Sequence, residues 1–300
     1  MEEIARDLAV VPMSFVNAYL LGDSQSWVLI DSGMPGNAKK IKEAAEARFG
    51  PAARPQAIVL THGHFDHAGS AKDLADMWDV QVYAHRLERP YLTGQSQYPP
   101  LDPSAPGAFS ALSRFFPSKA PFVGDRYAEL AKNLPELGLS DWELVETPGH
   151  TTGHVSFFRR SDGTLIAGDA LTTVNMDNAV DLITKRQQVS RPPTPGTPDW
   201  PQARNSVQAL NALPVRLIAA GHGVPMSLIA DQLKQLAENF PVPAYGRYVS
   251  ESARADETGV TYLPTAPPDR VLRALTGVAA GVVLAGAGVW LLKKATQNKN

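Results

Sequence analysis

Four side chains of metal-ligand type lie within six residues, in the segment His62-x-His64-x-Asp66-His67, directly after an apolar stretch at 57–60 that predicts a strand. In an extended loop, side chains two residues apart point the same way, so His62 and His64 can share one metal ion. Where a helix begins, the backbone turns and adjacent side chains diverge, so Asp66 and His67 can face a second ion. The chain must therefore fold so that a strand end holds this loop.

Three more residues of ligand type occur later in the chain. His150 stands in a Thr-Pro-Gly-His turn, Asp169 follows a strand predicted for 165–167, and His222 follows one predicted for 215–219. Functional side chains are commonly carried by loops on a rigid scaffold of strands. We therefore expect all of these side chains to meet at one site.

The absence of cysteine narrows the chemistry of that site. With no cysteine in 300 residues, disulfide frameworks, thiolate zinc sites, iron–sulfur clusters and cysteine nucleophiles are excluded. Any metal must then be held by imidazole and carboxylate groups, which suit zinc, manganese or iron. The charge balance of 28 basic against 30 acidic residues argues against a strongly basic protein that binds nucleic acid.

Together, these motifs resemble those of metallo-β-lactamase-superfamily hydrolases over about residues 8–240. The resemblance implies an α/β fold, a four-layer αββα sandwich within residues 1–240, with two divalent metal ions at one edge of its two sheets. Zinc is the first expectation, with manganese or iron as alternatives. Carried over position by position, the resemblance gives the first ion His62, His64 and His150, the second ion Asp66, His67 and His222, and makes Asp169 the bridge between them.

Two further residues are expected beside these ligands. His154 resembles the second histidine of the family's Pro-Gly-His-Thr-x-Gly-His stretch, and we expect it to hydrogen-bond a ligand rather than to bind metal. Asp31, in a Leu-Ile-Asp-Ser-Gly stretch, is expected either to orient a ligand imidazole or to cap a turn. His85 stands at a strand end without a partner motif, so we expect it to be structural or at the surface.

Two proline-rich segments interrupt or follow the predicted domain. Residues 86–135 are rich in proline and aromatic residues and predict an insertion over the site. Its aromatic side chains would form the apolar wall of a substrate pocket, or would belong to a packed surface excursion. Residues 241–270 show little periodicity and predict a proline-rich linker.

The C-terminal segment 271–300 contains a run without charged residues at 274–292, with basic residues on both sides. A helix of that length spans about 28 Å, close to the ~30 Å hydrocarbon core of a bilayer. The run therefore predicts a hydrophobic helix that anchors the protein to a membrane, and a buried helix of a soluble domain is the alternative. The N-terminus lacks the pattern of a secretory signal, so we expect a cytoplasmic catalytic domain.

The expected reaction is hydrolysis of a small molecule. Two close divalent ions lower the pKa of a bridging water and supply hydroxide near neutral pH. Asp169 would bridge the ions, and Asp66 would pass a proton to the leaving group. Because the true β-lactamases lack the carboxylate that Asp169 represents, we expect a small ester, lactone or thioester as substrate.

Other activities and partners follow from the same resemblance. A phosphodiesterase, a β-lactamase-like amide hydrolase and a mononuclear-iron oxidoreductase resembling persulfide dioxygenases are the alternatives. The partners expected are the small-molecule substrate and, through the C-terminal helix, a membrane. The near-neutral charge and the lack of a large additional domain predict no nucleic-acid partner. A homo-oligomer is left open.

Overall fold

The structure is a computed structural model that describes residues 1–117, 119–130 and 134–268. Its first part builds a seven-stranded sheet whose strands lie side by side in chain order. These strands are β1 (Glu2–Ala5), β2 (Leu8–Pro12), β3 (Asn17–Gly22), β4 (Trp27–Ile30), β5 (Ile58–Val59), β6 (Val82–Ala84) and β7 (Tyr127–Glu129). Pairing is antiparallel from β1 to β4 and parallel from β4 to β7, so the carboxyl ends of β4 and β5 meet at one edge.

The next strands build a second sheet and a separate hairpin. They are β8 (Trp142–Glu146), β9 (Val155–Arg159), β10 (Thr164–Gly168), β11 (Thr172–Val174), β12 (Gln187–Ser190), β13 (Leu217–Ala220) and β14 (Met226–Ser227). The second sheet has the order β14-β13-β10-β9-β8, while β11 and β12 pair with each other. β10 and β13 are parallel neighbours, so their carboxyl ends also meet at one edge.

Helices flank both sheets. The described α-helices are α1 (Ala38–Phe49), α2 (Ala71–Trp78), α3 (Arg89–Leu92), α4 (Ala108–Ser113), α5 (Ala179–Thr184), α6 (Trp200–Asn211) and α7 (Ala230–Glu238). Asp199 caps the N-terminus of α6. Its Oδ1 accepts a hydrogen bond from Gln202 N (3.1 Å), which satisfies one amide of the first turn. The side chain of Asn37, the residue before α1, does not cap that helix but accepts a hydrogen bond from Met34 N (2.9 Å).

Three apolar clusters separate four layers of structure. Because side chains alternate along a strand, Leu20 of β3 packs in the cluster of α1 and α2, whereas its neighbour Tyr19 packs between the sheets. In β10, Ile166 joins the cluster between the sheets, and Leu165 packs with residues of α6 and α7. The predicted α/β fold with packed sheets is confirmed, and its layers follow the order helix, sheet, sheet, helix.

The predicted C-terminal hydrophobic helix, with its run at 274–292, lies outside the described residues. Within residues 1–117, 119–130 and 134–268, no helix combines the length and the apolar character that crossing a bilayer requires. The structure therefore leaves the predicted membrane anchor as a prediction from the sequence.

Residues 241–268, expected as a linker, hold a hairpin of strands β15 (Arg254–Asp256) and β16 (Gly259–Tyr262). Within β16, Val260 N donates a hydrogen bond to Ser96 Oγ (3.3 Å). Ser96 belongs to the segment 86–135, so these two proline-rich segments pack against each other.

Candidate metal centre

The predicted ligands follow strands whose carboxyl ends gather at one edge of the two sheets. Asp31 follows β4, and the segment His62–His67 lies just beyond β5, its parallel neighbour. In the second sheet, Asp169 follows β10, and His222 lies just beyond its parallel neighbour β13. His150 lies in the loop between β8 and β9. Pairs of parallel strands thus deliver side chains from both sheets to a common edge.

Three imidazoles form one group, which we call the imidazole triad: His62, His64 and His150. His64 Nδ1 lies 3.1 Å from His62 Nε2 and 2.9 Å from His150 Nε2. One nitrogen from each ring lies within 4.8 Å of the other two. Three neutral imidazoles at this spacing can bind one divalent cation.

A second group, the mixed triad, consists of Asp66, His67 and His222, and its ligand atoms also lie within 4.8 Å of one another. Asp169 stands between the two triads. Its Oδ1 is 3.4 Å from His67 Nε2, while its Oδ2 is 3.4 Å from His150 Nε2 and 3.1 Å from His222 Nε2. One carboxylate therefore reaches both groups.

Several observations test whether a cation fits here. The buried atoms His67 Nε2 and Asp169 Oδ1 have no hydrogen-bond partner among the described residues. Buried polar atoms are nearly always partnered, and two such atoms aimed at one place suit a cation. A Cβ at Gly221 would come within 2.2 Å of Asp169 Oδ1 and 2.5 Å of His67 Cε1, so only glycine leaves this space free. The residues present fit a metal ion.

Asp31 and Thr61 fix the rings of two ligands from behind. Asp31 Oδ2 accepts from His67 Nδ1 (2.8 Å), which leaves Nε2 of that ring for the site. The other oxygen of Asp31 accepts from Thr61 N (2.8 Å), and Thr61 Oγ1 lies 3.1 Å from His62 Nδ1. Such partners behind the ligands fix ring orientation and tautomer.

Two further ligand rings, those of His150 and His222, have partners that the sequence motifs did not reveal. His150 Nδ1 lies 3.2 Å from Thr197 Oγ1, and that hydroxyl donates to the carbonyl of Pro193 (2.8 Å). His222 Nδ1 donates to the main-chain carbonyl of Phe15 (2.6 Å). In both rings, Nε2 is left facing the site.

His154 lies beside the cluster and contacts the main chain of Asp169 rather than the site. Asp169 N donates to His154 Nε2 (2.8 Å), and the other ring nitrogen bonds the hydroxyl of Thr147 (2.8 Å). Burial lowers the pKa of His154 to about 3, which keeps this ring neutral and able to accept. Its contact holds the main chain from which the Asp169 side chain projects.

Protonation differs between the two triads. Burial lowers the pKa of His62 and His150 well below the usual value, and that of His64 to about 3. Burial also acts to lower the pKa of His67 and His222, but the Asp169 carboxylate outweighs it and raises both. Conversely, burial acts to raise the pKa of Asp169, yet His222 and His67 hold it well below the usual range.

A cavity opens over this cluster, with polar and apolar walls. The polar wall is formed by His64, Asp66, His150, Asp169 and His222. Residues of the segment 86–135 form the apolar wall, among them Tyr98, Leu101, Phe109 and Phe116. Two of these rings also contact each other near the site: Phe109 and Phe116 lie 5.1 Å apart between ring centroids, with their planes tilted by 53°. An apolar surface therefore borders one side of the cluster.

Glu88 is a buried residue that the sequence reasoning did not select. Its carboxylate accepts hydrogen bonds from Gly63 N and Thr151 Oγ1, which belong to two loops that carry ligands. No motif surrounds Glu88, so only the tertiary structure reveals these contacts. His85, three residues earlier, lies away from the cluster with Nε2 at 3.9 Å from Glu146 Oε1.

Comparison with known proteins agrees with this geometry. A profile of the family described as Metallo-beta-lactamase superfamily matches residues 11–222. The Bacillus subtilis (strain 168) protein called Probable metallo-hydrolase YflN is 38% identical over 229 residues, which cover 75% of this chain and 87% of that protein. A Hydroxyacylglutathione hydrolase of Methylobacillus flagellatus is 28% identical over 206 residues, covering 67% of this chain and 62% of that protein.

A solved structure shares the fold. The crystal structure of the BLEG-1 B3 metallo-beta-lactamase superposes with a TM-score of 0.54 and 26% identity, covering 77% of this chain and 96% of its own. The family match spans β2 to the final predicted ligand, His222, so it includes every residue of both triads. On these grounds the resemblance inferred from the motifs is confirmed, and the chain belongs to the metallo-beta-lactamase superfamily.

Proposed function

We propose that this chain hydrolyses a small ester, lactone or thioester with two divalent metal ions, zinc first and manganese or iron as alternatives. One observation carries the proposal: both oxygens of one buried carboxylate, that of Asp169, lie between the imidazole triad and the mixed triad. Membership of the superfamily and the metallo-hydrolase relative support hydrolysis as the class of reaction.

The residues divide the work as follows in this proposal. The imidazole triad would hold one ion, the mixed triad would hold the other, and Asp169 would contact both. When bound, the two ions supply a nucleophilic hydroxide near neutral pH by lowering the pKa of a water. Asp66 lines the cavity beside Asp169, where its carboxylate can take a proton and pass it to the leaving group.

The cavity supports a substrate with an apolar part next to the scissile bond. Tyr98, Phe109 and Phe116 present apolar surface beside the triads, so an acyl or aryl group can pack there while its carbonyl lies next to the metal ligands. The hydroxyacylglutathione hydrolase relative favours thioesters within this class. The structural likeness to a B3 metallo-beta-lactamase makes amide hydrolysis in a β-lactam the second candidate.

A substrate panel with metal analysis tests the proposal. Purified protein is assayed on thioesters, lactones, aryl esters, a phosphodiester and a β-lactam, and zinc, manganese and iron are measured on the same sample. We expect two ions per chain and turnover of an ester, lactone or thioester. A single iron with oxygen uptake, or turnover of the β-lactam or phosphodiester alone, would contradict the proposal.

Two histidine variants test whether metal binding and turnover depend on the imidazole triad. His150→Ala removes one ring of the imidazole triad and should lower both metal content and turnover. His85→Asn is the matched control, because His85 lies outside the triads and an asparagine can keep its hydrogen bond from Leu87 N. Equal losses in both variants would argue against a site at the imidazole triad.

A second part of the proposal concerns the segment 274–292 and the location of the protein in the cell. We propose that it tethers a cytoplasmic catalytic domain to a membrane, on the basis of its uncharged run and basic flanks. Fractionation without detergent should place the full chain with membranes and a chain ending at Pro268 in the supernatant. Recovery of both chains in the supernatant would contradict the anchor and leave the proposed chemistry untouched.

A further inference from the structure

Glu88 is buried with no exposed surface, and four donors from three parts of the chain surround its carboxylate. Oε2 accepts from Gly63 N (2.9 Å) and from Tyr98 OH. Oε1 accepts from Thr151 Oγ1 (2.6 Å) and from Gly153 N (2.9 Å). Each oxygen therefore takes two hydrogen bonds, which is the full capacity of a carboxylate.

The two oxygens bind different loops of the imidazole triad. Gly63 lies between His62 and His64 in the chain, whereas Thr151 directly follows His150. The loop from β5 and the loop between β8 and β9 are thus joined through one side chain. Because the loops come from different sheets, this link sets the distance between rings that no local sequence can fix.

Tyr98 connects the same carboxylate to the wall of the cavity. Its ring meets the ring of His64 edge to face, with centroids 4.7 Å apart and an interplanar angle of 68°. On its other side it stacks on Tyr91 with centroids 4.0 Å apart. The hydrogen bond to Glu88 therefore fixes a pocket residue against a ligand.

We propose that Glu88 is a positioning residue which sets the spacing of the His62, His64 and His150 rings and thereby the affinity of the imidazole triad for its metal ion. This inference rests on the proposed metal site. A space-filling role would be served by an apolar side chain, since burying a carboxylate is costly unless donors compensate it. Four hydrogen-bond donors compensate the burial of the Glu88 carboxylate. Two of these donors are main-chain N–H groups, those of Gly63 and Gly153.

Glu88→Gln is the sharpest single change, because it keeps the volume and removes one acceptor oxygen. The new amide group faces either the Gly63 side or the Gly153 side. A hydroxyl such as that of Tyr98 or Thr151 can turn to accept from it, but a backbone N–H cannot. One of the two loops therefore loses its main-chain hydrogen bond to residue 88, from Gly63 N or from Gly153 N, while the other loop keeps its own.

The measurement is zinc affinity by competition with a chromogenic chelator, at a temperature well below unfolding. We expect Glu88→Gln to lower the affinity for one of the two zinc ions about 10- to 100-fold. This is the range typical for residues that hydrogen-bond metal ligands from behind. Glu238→Gln on the exposed face of α7 is the matched control and should bind both ions like the parent chain. The unfolding midpoint of the metal-free proteins is recorded alongside.

Each outcome decides between positioning and simple structural support. Zinc affinity within about twofold of the parent, with only a lower unfolding midpoint, would overturn the inference. If Glu88→Gln does not fold, Tyr98→Phe removes a single donor, and we expect it to weaken zinc by less than about tenfold. Unchanged zinc affinity in Tyr98→Phe would then overturn the inference.

Failure of the proposed function looks different from failure of this inference. If the parent chain binds no zinc, manganese or iron, the metal site itself is wrong, and the inference falls with it. If the parent binds two ions and both Glu88 and Tyr98 variants bind them equally well, only the positioning role is wrong. Neither readout depends on knowing the substrate.

Discussion

The imidazole triad and the mixed triad meet at Asp169 but are made of unlike groups. The imidazole triad has no carboxylate of its own, and burial holds the pKa values of its three rings low. In the mixed triad, Asp66 is itself a ligand candidate. Asp31 Oδ2 lies 2.8 Å from His67 Nδ1, on the side of that ring away from the site. Without a cation, the carboxylates there raise the pKa values of His67 and His222.

This difference indicates that the two ions are held by different means. The imidazole triad is neutral near pH 7 and depends on ring spacing, which makes it sensitive to the loops that carry it. The mixed triad offers negative charge, but a cation must first displace a proton from His67 or His222. Substitutions and pH should therefore affect the two halves unequally, apart from changes at the residue they share.

The largest effect is expected from Asp169→Asn, because Asp169 contacts both the imidazole triad and the mixed triad. The amide has one acceptor oxygen and no charge, so it cannot serve both triads. We expect both ions to bind more weakly and turnover to fall by more than the roughly 100-fold that loss of an outer partner costs. Metal content and turnover are measured together, with the exposed Asp231→Asn on α7 as control. Two tightly bound ions with normal turnover would contradict the bridging role.

Asp66→Asn should separate the halves, because it changes only the mixed triad. The imidazole triad should keep its ion, whereas turnover should fall about 100-fold, the lower end of what a proton-transfer group contributes. Both quantities are measured on one preparation. Unchanged turnover with two ions bound would rule out Asp66 as the group that passes a proton.

The contrast between the triads explains what the sequence could predict. The seven ligand candidates were visible because they lie in short motifs, and the strands predicted at 165–167 and 215–219 overlap β10 and β13. The hairpin of β1 and β2 was missed, since the sequence around Leu8–Pro12 is a continuous apolar run without alternation.

The residues behind the ligands were harder to predict for a physical reason. His222 is oriented by the main-chain carbonyl of Phe15, which any residue type would supply. Thr197 and Glu88 act across 47 and 25 positions of sequence separation, from segments without ligand motifs. Their roles depend on how the loops pack, and only the tertiary structure contains that information.

Asp31→Asn and Thr197→Val compare the partners behind the two triads. Asp31 is charged and bonds His67, whereas Thr197 is a neutral hydroxyl behind His150. We expect Asp31→Asn to lower the affinity of the mixed triad for its ion about 10- to 100-fold. Thr197→Val should lower the affinity of the imidazole triad for its ion by less than about tenfold. Zinc competition measures both, with the buried Thr164→Val of β10 as control. Equal losses in the two variants would show that charge behind the ring is unimportant.

The most selective effect is expected from pH. A ring with a raised pKa binds a proton that the cation must displace, so apparent affinity falls about tenfold per pH unit as pH drops below that pKa. For His67 and His222 this loss begins above the usual histidine value of about 6.5, because the Asp169 carboxylate outweighs burial and raises both pKa values. The imidazole triad has lowered pKa values, that of His64 being about 3, so its ion should bind almost equally at about pH 7 and pH 5. Zinc titrations across this range should therefore show one ion lost before the other, and simultaneous loss of both would contradict the difference between the two triads.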